Sequence, residues 1–175
     1  MKSIIQGHRP VKRLVFIGLF ISLALTLNYF ERFIPIAITM PGVKLGLANV
    51  VSLVALSLFS LPEVLAIVII RTLLSATFYG SISALMFSMA GGVLSLLGMW
   101  ALMKLKLESI STIGISIFGA LCHNVGQVTV AVVILQSVAI YSYLPILLVS
   151  SLVTGVIIGI VAQRTVPYLK HVYRP

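Results

Sequence analysis

Apolar stretches long enough to cross a lipid bilayer recur along almost the whole chain. A helix needs roughly 20 apolar residues, within a range of about 17–25, to cross the hydrocarbon core. Of the 175 residues, 60% are hydrophobic and 9% are charged, which leaves too little polar surface for a soluble domain. The sequence therefore predicts an all-α polytopic membrane protein that forms a single membrane domain over residues 1–175.

The apolar stretches predict six transmembrane helices in a compact bundle. The second and third are close to the lower limit of length for a membrane crossing. Pro62 stands before the third, at a helix start where its missing N–H removes no hydrogen bond. The spans are expected at about residues 13–30, 45–60, 63–79, 82–103, 111–135 and 143–164.

Basic residues favour one side of the predicted membrane. With a cytoplasmic N-terminus, nine of the twelve Lys and Arg residues fall in cytoplasmic segments, while only Arg32 and Lys44 lie in an outer loop. Because basic residues mark cytoplasmic loops, both termini are expected in the cytoplasm, with the protein in the cell membrane. The basic residues that give the net charge of +9 cluster at the ends of the segments, as membrane topology signals do, which argues against a nucleic-acid partner.

Acidic residues are too few and too scattered for several kinds of chemistry. The chain has no aspartate, and its three glutamates, Glu31, Glu63 and Glu108, lie at separate segment ends. Mg²⁺ needs hard oxygen ligands to hold a diphosphate, and these glutamates do not form such a set. No glycine-rich loop ending in Lys-Ser/Thr is present to bind ATP, and the histidines are too scattered for a metal site. We expect a chain that is not an enzyme and has no metal or cofactor.

Arg71 lies near the middle of the third predicted span. An arginine at this depth costs about 2.5–3.5 kcal/mol on insertion scales, so it is expected to face a cavity or a partner. A role in binding an anionic substrate would explain it. The alternatives are snorkelling to the membrane interface and pairing with a backbone carbonyl.

The fifth predicted span contains the sequence CHNVGQ at 122–127. His123 and Gln127 are four residues apart and Asn124 and Gln127 three apart, so these three are expected on one side of the helix. Such a group favours a substrate-binding site. Hydrogen bonds between helices, which polar side chains commonly form in membranes, are the alternative.

Lys44 and Asn49 stand just before and inside the start of the second predicted span, near Gly42 and Gly46. Free N–H groups at a helix start, with a lysine beside them, favour an anion. The alternative is an interfacial lysine with a capping turn. Together with Arg71, Lys44 predicts a net positive, water-accessible hollow open to the exterior, suited to an anionic or acceptor-rich ligand.

Small residues recur every four positions on three predicted spans. Such faces allow helices to approach closely in lipid, usually within one bundle. On the first span the face is also suited to docking another membrane protein. The three faces are Gly18, Ser22 and Thr26; Ala84, Ser88 and Gly92; and Gly155 and Gly159.

Four stretches resemble the Gx transporter family, many of whose members carry the label heptaprenyl diphosphate synthase component I. The resemblance extends over about residues 12–165, and the family in turn is similar to the substrate-binding S components of energy-coupling factor (ECF) transporters. The stretches are PGVKLGLAN (41–49), VIIRTLL (68–74), SMAGGVLSLLGM (88–99) and FGALCHNVGQVTVA (118–131).

The resemblance implies a prokaryotic membrane subunit that holds a small-molecule substrate near the outer side. Its partners would be a membrane coupling protein, docked at Gly18 and Ser22, and two cytoplasmic ATPases. Residues 31–44 would cover the substrate. Two alternatives remain: a non-catalytic membrane subunit of heptaprenyl diphosphate synthesis, and a structural subunit of a redox complex.

Overall fold

The computed structural model describes residues 3–31, 33, 46–105 and 110–173, with the side chains of the first helix from Pro10 onward. The described part is helical and contains no strand, as the sequence predicts. A 3₁₀ helix, Val138–Tyr143, leads into the last α-helix. The α-helices are α1 (Ser3–Glu31), α2 (Asn49–Leu56), α3 (Leu61–Tyr79), α4 (Ile82–Lys104), α5 (Thr112–Leu135) and α6 (Leu144–Val172).

Five helical segments are long and apolar enough to cross a membrane, whereas six crossings were predicted. The exception is the predicted span at about 45–60, where α2 has eight residues and is therefore about 12 Å long. The helix ends early because Ser60 starts the next one, its backbone N–H donating to Glu63 Oε2 at 2.9 Å. The five segments are Pro10–Glu31, Leu61–Tyr79, Ile82–Lys104, Thr112–Leu135 and Val138–Val172.

The short helix α2 lies at the centre of the bundle and contacts all five longer helices. A helix that is apolar around its whole circumference is stable only when it is surrounded by other elements. Val51, Leu53 and Val54 of α2 are buried together with Phe20 of α1. The N-terminal end of α2, at Asn49, is therefore enclosed by the other helices.

Helices α1 and α3 run in the same direction. Near their starts, Arg13 Nε lies 2.5 Å from Glu63 Oε1. Near their ends, the Tyr79 hydroxyl donates to the Leu25 carbonyl at 3.1 Å. The chain between Glu31 and Leu61 therefore returns to the end of the bundle at which α1 begins.

The two ends of the described chain lie at that same end of the bundle. Lys12 Nζ donates to the Val172 carbonyl at 3.0 Å, and the rings of Phe16 and Tyr173 are 5.1 Å apart. This arrangement agrees with the prediction that both termini share one side of the membrane. That this side is the cytoplasm stays a prediction.

The small-residue faces of α6 and α1 differ in what they contact. A Cβ atom at Gly155 would lie 2.6 Å from Cα of Ile117, and one at Gly159 would lie 2.6 Å from Cα of Ile113. These glycines therefore let α6 pack closely against α5. At Gly18 a Cβ would meet nothing within 4 Å, so this part of α1 faces the surroundings of the bundle.

Replacing Gly155 with alanine is expected to destabilise the bundle by about 1–3 kcal/mol, because the new methyl group overlaps a backbone that cannot move alone. The measurement is thermal unfolding of the purified protein in detergent. Gly18→Ala is the matched control and should unfold at the wild-type temperature or slightly above it. Equal effects of the two substitutions would contradict the helix packing described above.

Candidate binding site

A cluster of polar side chains is buried inside the bundle, toward the end at which α1 finishes. Each of its members exposes 3% of its surface or less. Ionisable and amide groups are costly at such positions in a membrane protein and are usually there to bind something. The members are Glu31 from α1, Asn49 from α2, Arg71 from α3, and His123 and Gln127 from α5.

Gly46 joins three members of this cluster. Its backbone N–H donates a hydrogen bond to a carboxylate oxygen of Glu31. Its φ of 83° lies in the left-handed region that glycine adopts without strain. A Cβ atom at Gly46 would lie 2.7 Å from Asn49 Nδ2 and 3.0 Å from His123 Cδ2. The absence of a side chain at this position therefore allows Glu31, Asn49 and His123 to come together.

The start of α2 is not the open anion receptor that was predicted. The Asn49 N–H donates to the Gly46 carbonyl at 2.8 Å, and the Val50 N–H donates to the Leu47 carbonyl at 3.1 Å. The N–H of Gly46 is bonded to Glu31, so the anion next to this helix start belongs to the chain itself. Lys44, the predicted cation here, lies outside the described residues.

His123 and Gln127 contact each other and line the α4 side of α5. Gln127 Nε2 lies 2.5 Å from His123 Nε2. A Cβ atom at Gly91 would lie 2.8 Å from both Gln127 Cγ and the His123 carbonyl oxygen. Gly91 therefore allows α4 to approach this pair closely, which fixes the position of both side chains.

Asn124 does not share a side with His123 and Gln127, contrary to the prediction. Its Nδ2 donates to the Leu147 carbonyl at 2.8 Å and to Ser151 Oγ at 2.6 Å, both on α6. Successive residues of an α-helix are about 100° apart, so the neighbour of His123 faces a different helix. Asn124 therefore forms hydrogen bonds between two helices, which was the alternative to a place in the binding site.

Two nitrogens of the Arg71 guanidinium group lack hydrogen-bond partners in the part of the chain that the structure describes. Its Nε and Nη2 are buried and have no partner among the described residues. A Cβ atom at Gly92 of α4 would lie 3.1 Å from Nη2, so this glycine makes room for the guanidinium group. Glu31 and Tyr79 interact with Arg71 electrostatically. Arg71 is buried, so its side chain does not reach the interface by snorkelling. Its Nε and Nη2 also make no hydrogen bond to a backbone carbonyl of the described residues.

Asn49 has unmatched polar atoms as well. Neither its Oδ1 nor its Nδ2 has a hydrogen-bond partner within residues 46–105 and the other described segments. Burying an amide without a hydrogen bond costs about 1–3 kcal/mol by mutational data, and burying an unpaired charge costs more. Arg71 and Asn49 are therefore the two described members best placed to bind a ligand.

The water-accessible hollow predicted around these residues is closed in the described structure. Asn49, Arg71 and His123 are enclosed, because α2 fills the middle of the bundle. A groove of about 490 Å³ lies elsewhere, between α1, α2 and α6, and its walls are apolar. Entry of a ligand to the cluster would therefore require movement of the elements around α2.

One cluster member, Glu31, and two glycines that contact the cluster, Gly46 and Gly91, were not among the predicted site residues. Glu31 and Arg71 are forty positions apart in sequence. The sequence contains two signals for these positions. Glu31 stands directly after an apolar span, and Gly46 is the glycine of KLGLAN. Nothing in the sequence alone showed that the two would meet.

Comparison with known protein families gives a match over most of the chain. Residues 20–165 match the family described as heptaprenyl diphosphate synthase component I. No curated protein and no solved structure matches the chain. Because the match covers most of the sequence, the chain belongs to this family, as the resemblance of its motifs indicated.

Proposed function

We propose that this member of the heptaprenyl diphosphate synthase component I family is the substrate-binding membrane subunit of an ECF-type importer and that it is not itself an enzyme. The observation that carries the proposal is the buried Arg71 guanidinium, whose Nε and Nη2 have no hydrogen-bond partner among the described residues. Burying an arginine inside a membrane bundle costs free energy. Interaction with a ligand, a partner or water offsets this cost. Asn49, His123 and Gln127 complete the proposed site with hydrogen-bonding groups.

In this proposal the chain crosses the membrane six times. The parallel direction of α1 and α3 supports a return crossing between Glu31 and Leu61, with α2 as its helical part. The other helices enclose α2, so it need not span the lipid by itself. Both termini are then cytoplasmic in a prokaryotic plasma membrane, as the distribution of basic residues favours.

Transport against a gradient requires an energy source that this sequence does not encode. The proposal therefore includes a membrane coupling protein and two cytoplasmic ATPases as partners. The coupling protein would dock on the face of α1 that includes Gly18 and Ser22. Ser22 Oγ donates to the Gly18 carbonyl at 2.9 Å, so its polarity is satisfied within the helix and the face is free to pack.

The first test of the function is capture of a ligand and of partners by the full chain. Native mass spectrometry of the protein purified from its own cells is expected to show a small-molecule adduct, together with the coupling protein and ATPases. Gly18→Leu should reduce recovery of these partners at least about tenfold while the adduct is retained, because a branched side chain blocks close helix approach. Gly18→Ala is the smaller control. Purification without any adduct or ATPase would contradict the proposal.

A second function, a membrane accessory subunit of heptaprenyl diphosphate synthesis, is favoured by the description of the family. Such a subunit would act with a soluble synthase that supplies the aspartates this chain lacks. Co-purification with that synthase, and more prenyl product on mixing the two, would support this function. Unchanged product formation would leave the importer as the better explanation.

A further inference from the structure

The groove between α1, α2 and α6 is open to the surroundings of the bundle. It has a volume of about 490 Å³, and Thr165 is the one polar side chain among the described residues that line it. Leu19 of α1 exposes 58% of its surface and Ile157 of α6 exposes 52%, so both edges of the groove are accessible. Exposed apolar surface of this extent marks a site of interaction with another molecule or with lipid.

The length of the groove matches the depth of one lipid leaflet. On α1 its wall extends from Phe16 to Leu27, which corresponds to about 16 Å of helix. The hydrocarbon core of a bilayer is about 30 Å thick, so one leaflet fills roughly half of it. The groove starts at the end of the bundle at which α1 begins, where Phe16 lies against Tyr173. A hydrocarbon chain from the leaflet on that side therefore has the length to fill it.

The volume of the groove suits one hydrocarbon chain rather than a helix of another protein. Carbon atoms in contact are about 3.5–4.0 Å apart, so a chain about 4–5 Å wide and about 16 Å long occupies roughly 300 Å³. A helix with its side chains is about 10 Å across, and about 16 Å of it occupies roughly 1,200 Å³. The 490 Å³ of the groove is enough for the chain and too little for the helix.

Two exposed cations stand at the edges of the groove. Lys12 is seven residues before Leu19, so both lie on the same side of α1. Arg164 is seven residues after Ile157, so both lie on the same side of α6. Lys12 Nζ donates to the Val172 carbonyl at 3.0 Å, which holds the ammonium group between α1 and α6. A negatively charged headgroup at this end of the groove is attracted by both cations.

We infer that the groove binds one acyl chain of an anionic phospholipid, with the lipid phosphate beside Lys12 and Arg164 and the chain against α2. The inference goes beyond the proposed function, because the lining residues of the groove and the polar cluster are different sets. It also leaves the proposed docking face free. Gly18 is two residues before Phe20, a residue of the groove wall, and therefore points to nearly the opposite side of α1.

The experiment uses the full chain in detergent after removal of bound lipid. Dioleoyl phosphatidylglycerol is the anionic probe and dioleoyl phosphatidylcholine is the zwitterionic probe, with the same acyl chains. Native mass spectrometry measures the affinity for each lipid. We expect at least about tenfold tighter binding of phosphatidylglycerol, since each cation near an anionic lipid contributes about fivefold in affinity.

Variants that fill the groove test the position of the acyl chain. Val161→Trp places an indole in the groove and should weaken binding of phosphatidylglycerol by about tenfold or more. Val153→Trp makes the same change at an exposed position of α6 outside the groove and should bind as the wild type does. Leu23→Trp fills the groove from α1 and replaces Val161→Trp if that variant does not fold.

Variants that remove charge test the position of the headgroup. The double substitution of Lys12→Gln with Arg164→Gln should remove the preference for phosphatidylglycerol over phosphatidylcholine. Lys170→Gln is the control on the same helix. Lys170 is eleven residues, or about three turns, after Gly159 and therefore lies on the side of α6 that faces α5.

Three outcomes would overturn the inference. The first is equal affinity for the two lipids in the wild type, and the second is wild-type affinity for phosphatidylglycerol in both Val161→Trp and Leu23→Trp. The third is tighter binding of farnesyl diphosphate than of phosphatidylglycerol, lost in the groove-filling variants, which would make a prenyl chain the occupant. A preference for phosphatidylglycerol that is lost in the groove-filling and charge variants and kept in both controls supports the inference.

Discussion

Arg71→Gln is expected to lower the affinity for the native ligand by at least a factor of about 100 while the bundle remains folded. Hydrogen bonds to a charged group contribute about 1.5–3 kcal/mol each, and two guanidinium nitrogens are available for them. Since 1.4 kcal/mol corresponds to a tenfold change, two lost bonds account for this reduction. Titration followed by native mass spectrometry, or thermal shift with the identified ligand, measures it.

Arg13→Gln is the matched control, because it makes the same chemical change at the opposite end of α1 and α3. Arg13 is half exposed and pairs with Glu63, and exposed ion pairs contribute little to stability. This variant should bind the ligand as the wild type does. Wild-type affinity in Arg71→Gln would contradict the binding site, and loss of helical content in Arg71→Gln would show that the arginine is needed for folding instead.

Helices α3, α4 and α5 were predictable from sequence because each is a continuous apolar run. The predicted spans at 63–79, 82–103 and 111–135 differ by two residues or fewer at each end from Leu61–Tyr79, Ile82–Lys104 and Thr112–Leu135. The last helix was less predictable. It continues past the apolar run to Val172, where Lys12 and Tyr173 hold it against α1.

The short helix α2 was not predictable from the same signal. The stretch 45–60 is as apolar as a transmembrane helix, and hydrophobicity does not show whether lipid or protein surrounds a segment. Ser60 and Glu63, which begin the next helix, were the local signs of an early end. Neither sign reveals that α2 lies at the centre of the bundle, because that depends on contacts between distant helices.

The candidate site was predictable in part. The depth of Arg71 within an apolar run and the spacing of His123 and Gln127 both lead to buried polar groups, and the structure has them buried. The position of Asn124 depends on which helix each side of α5 faces, which spacing within one helix does not determine. The hydrogen bond from the Gly46 N–H to Glu31 joins residues 15 positions apart, and no pattern in the sequence indicates that they meet.

Gly46→Ala is expected to lower ligand affinity by about tenfold or more with only a moderate loss of stability. A residue other than glycine at a φ of 83° costs roughly 1–2 kcal/mol. Its methyl group would lie 2.7 Å from Asn49 Nδ2 and 3.0 Å from the His123 ring, so both side chains must move. Since the Asn49 amide belongs to the proposed site, its displacement affects binding directly. Ligand titration and thermal unfolding of the same preparation separate the two effects.

Gly114→Ala provides the comparison for Gly46→Ala. A Cβ atom there would approach Ile110 Cγ2 only to 3.4 Å, an ordinary contact, and Gly114 lies in the first turn of α5, well before His123. Its affinity should equal that of the wild type. If Gly46→Ala keeps wild-type affinity and loses only stability, Gly46 serves the turn before α2 alone. Gly46→Ala can also lose more affinity than its loss of stability accounts for. In that case the positions of Asn49 and His123 determine whether the ligand is bound.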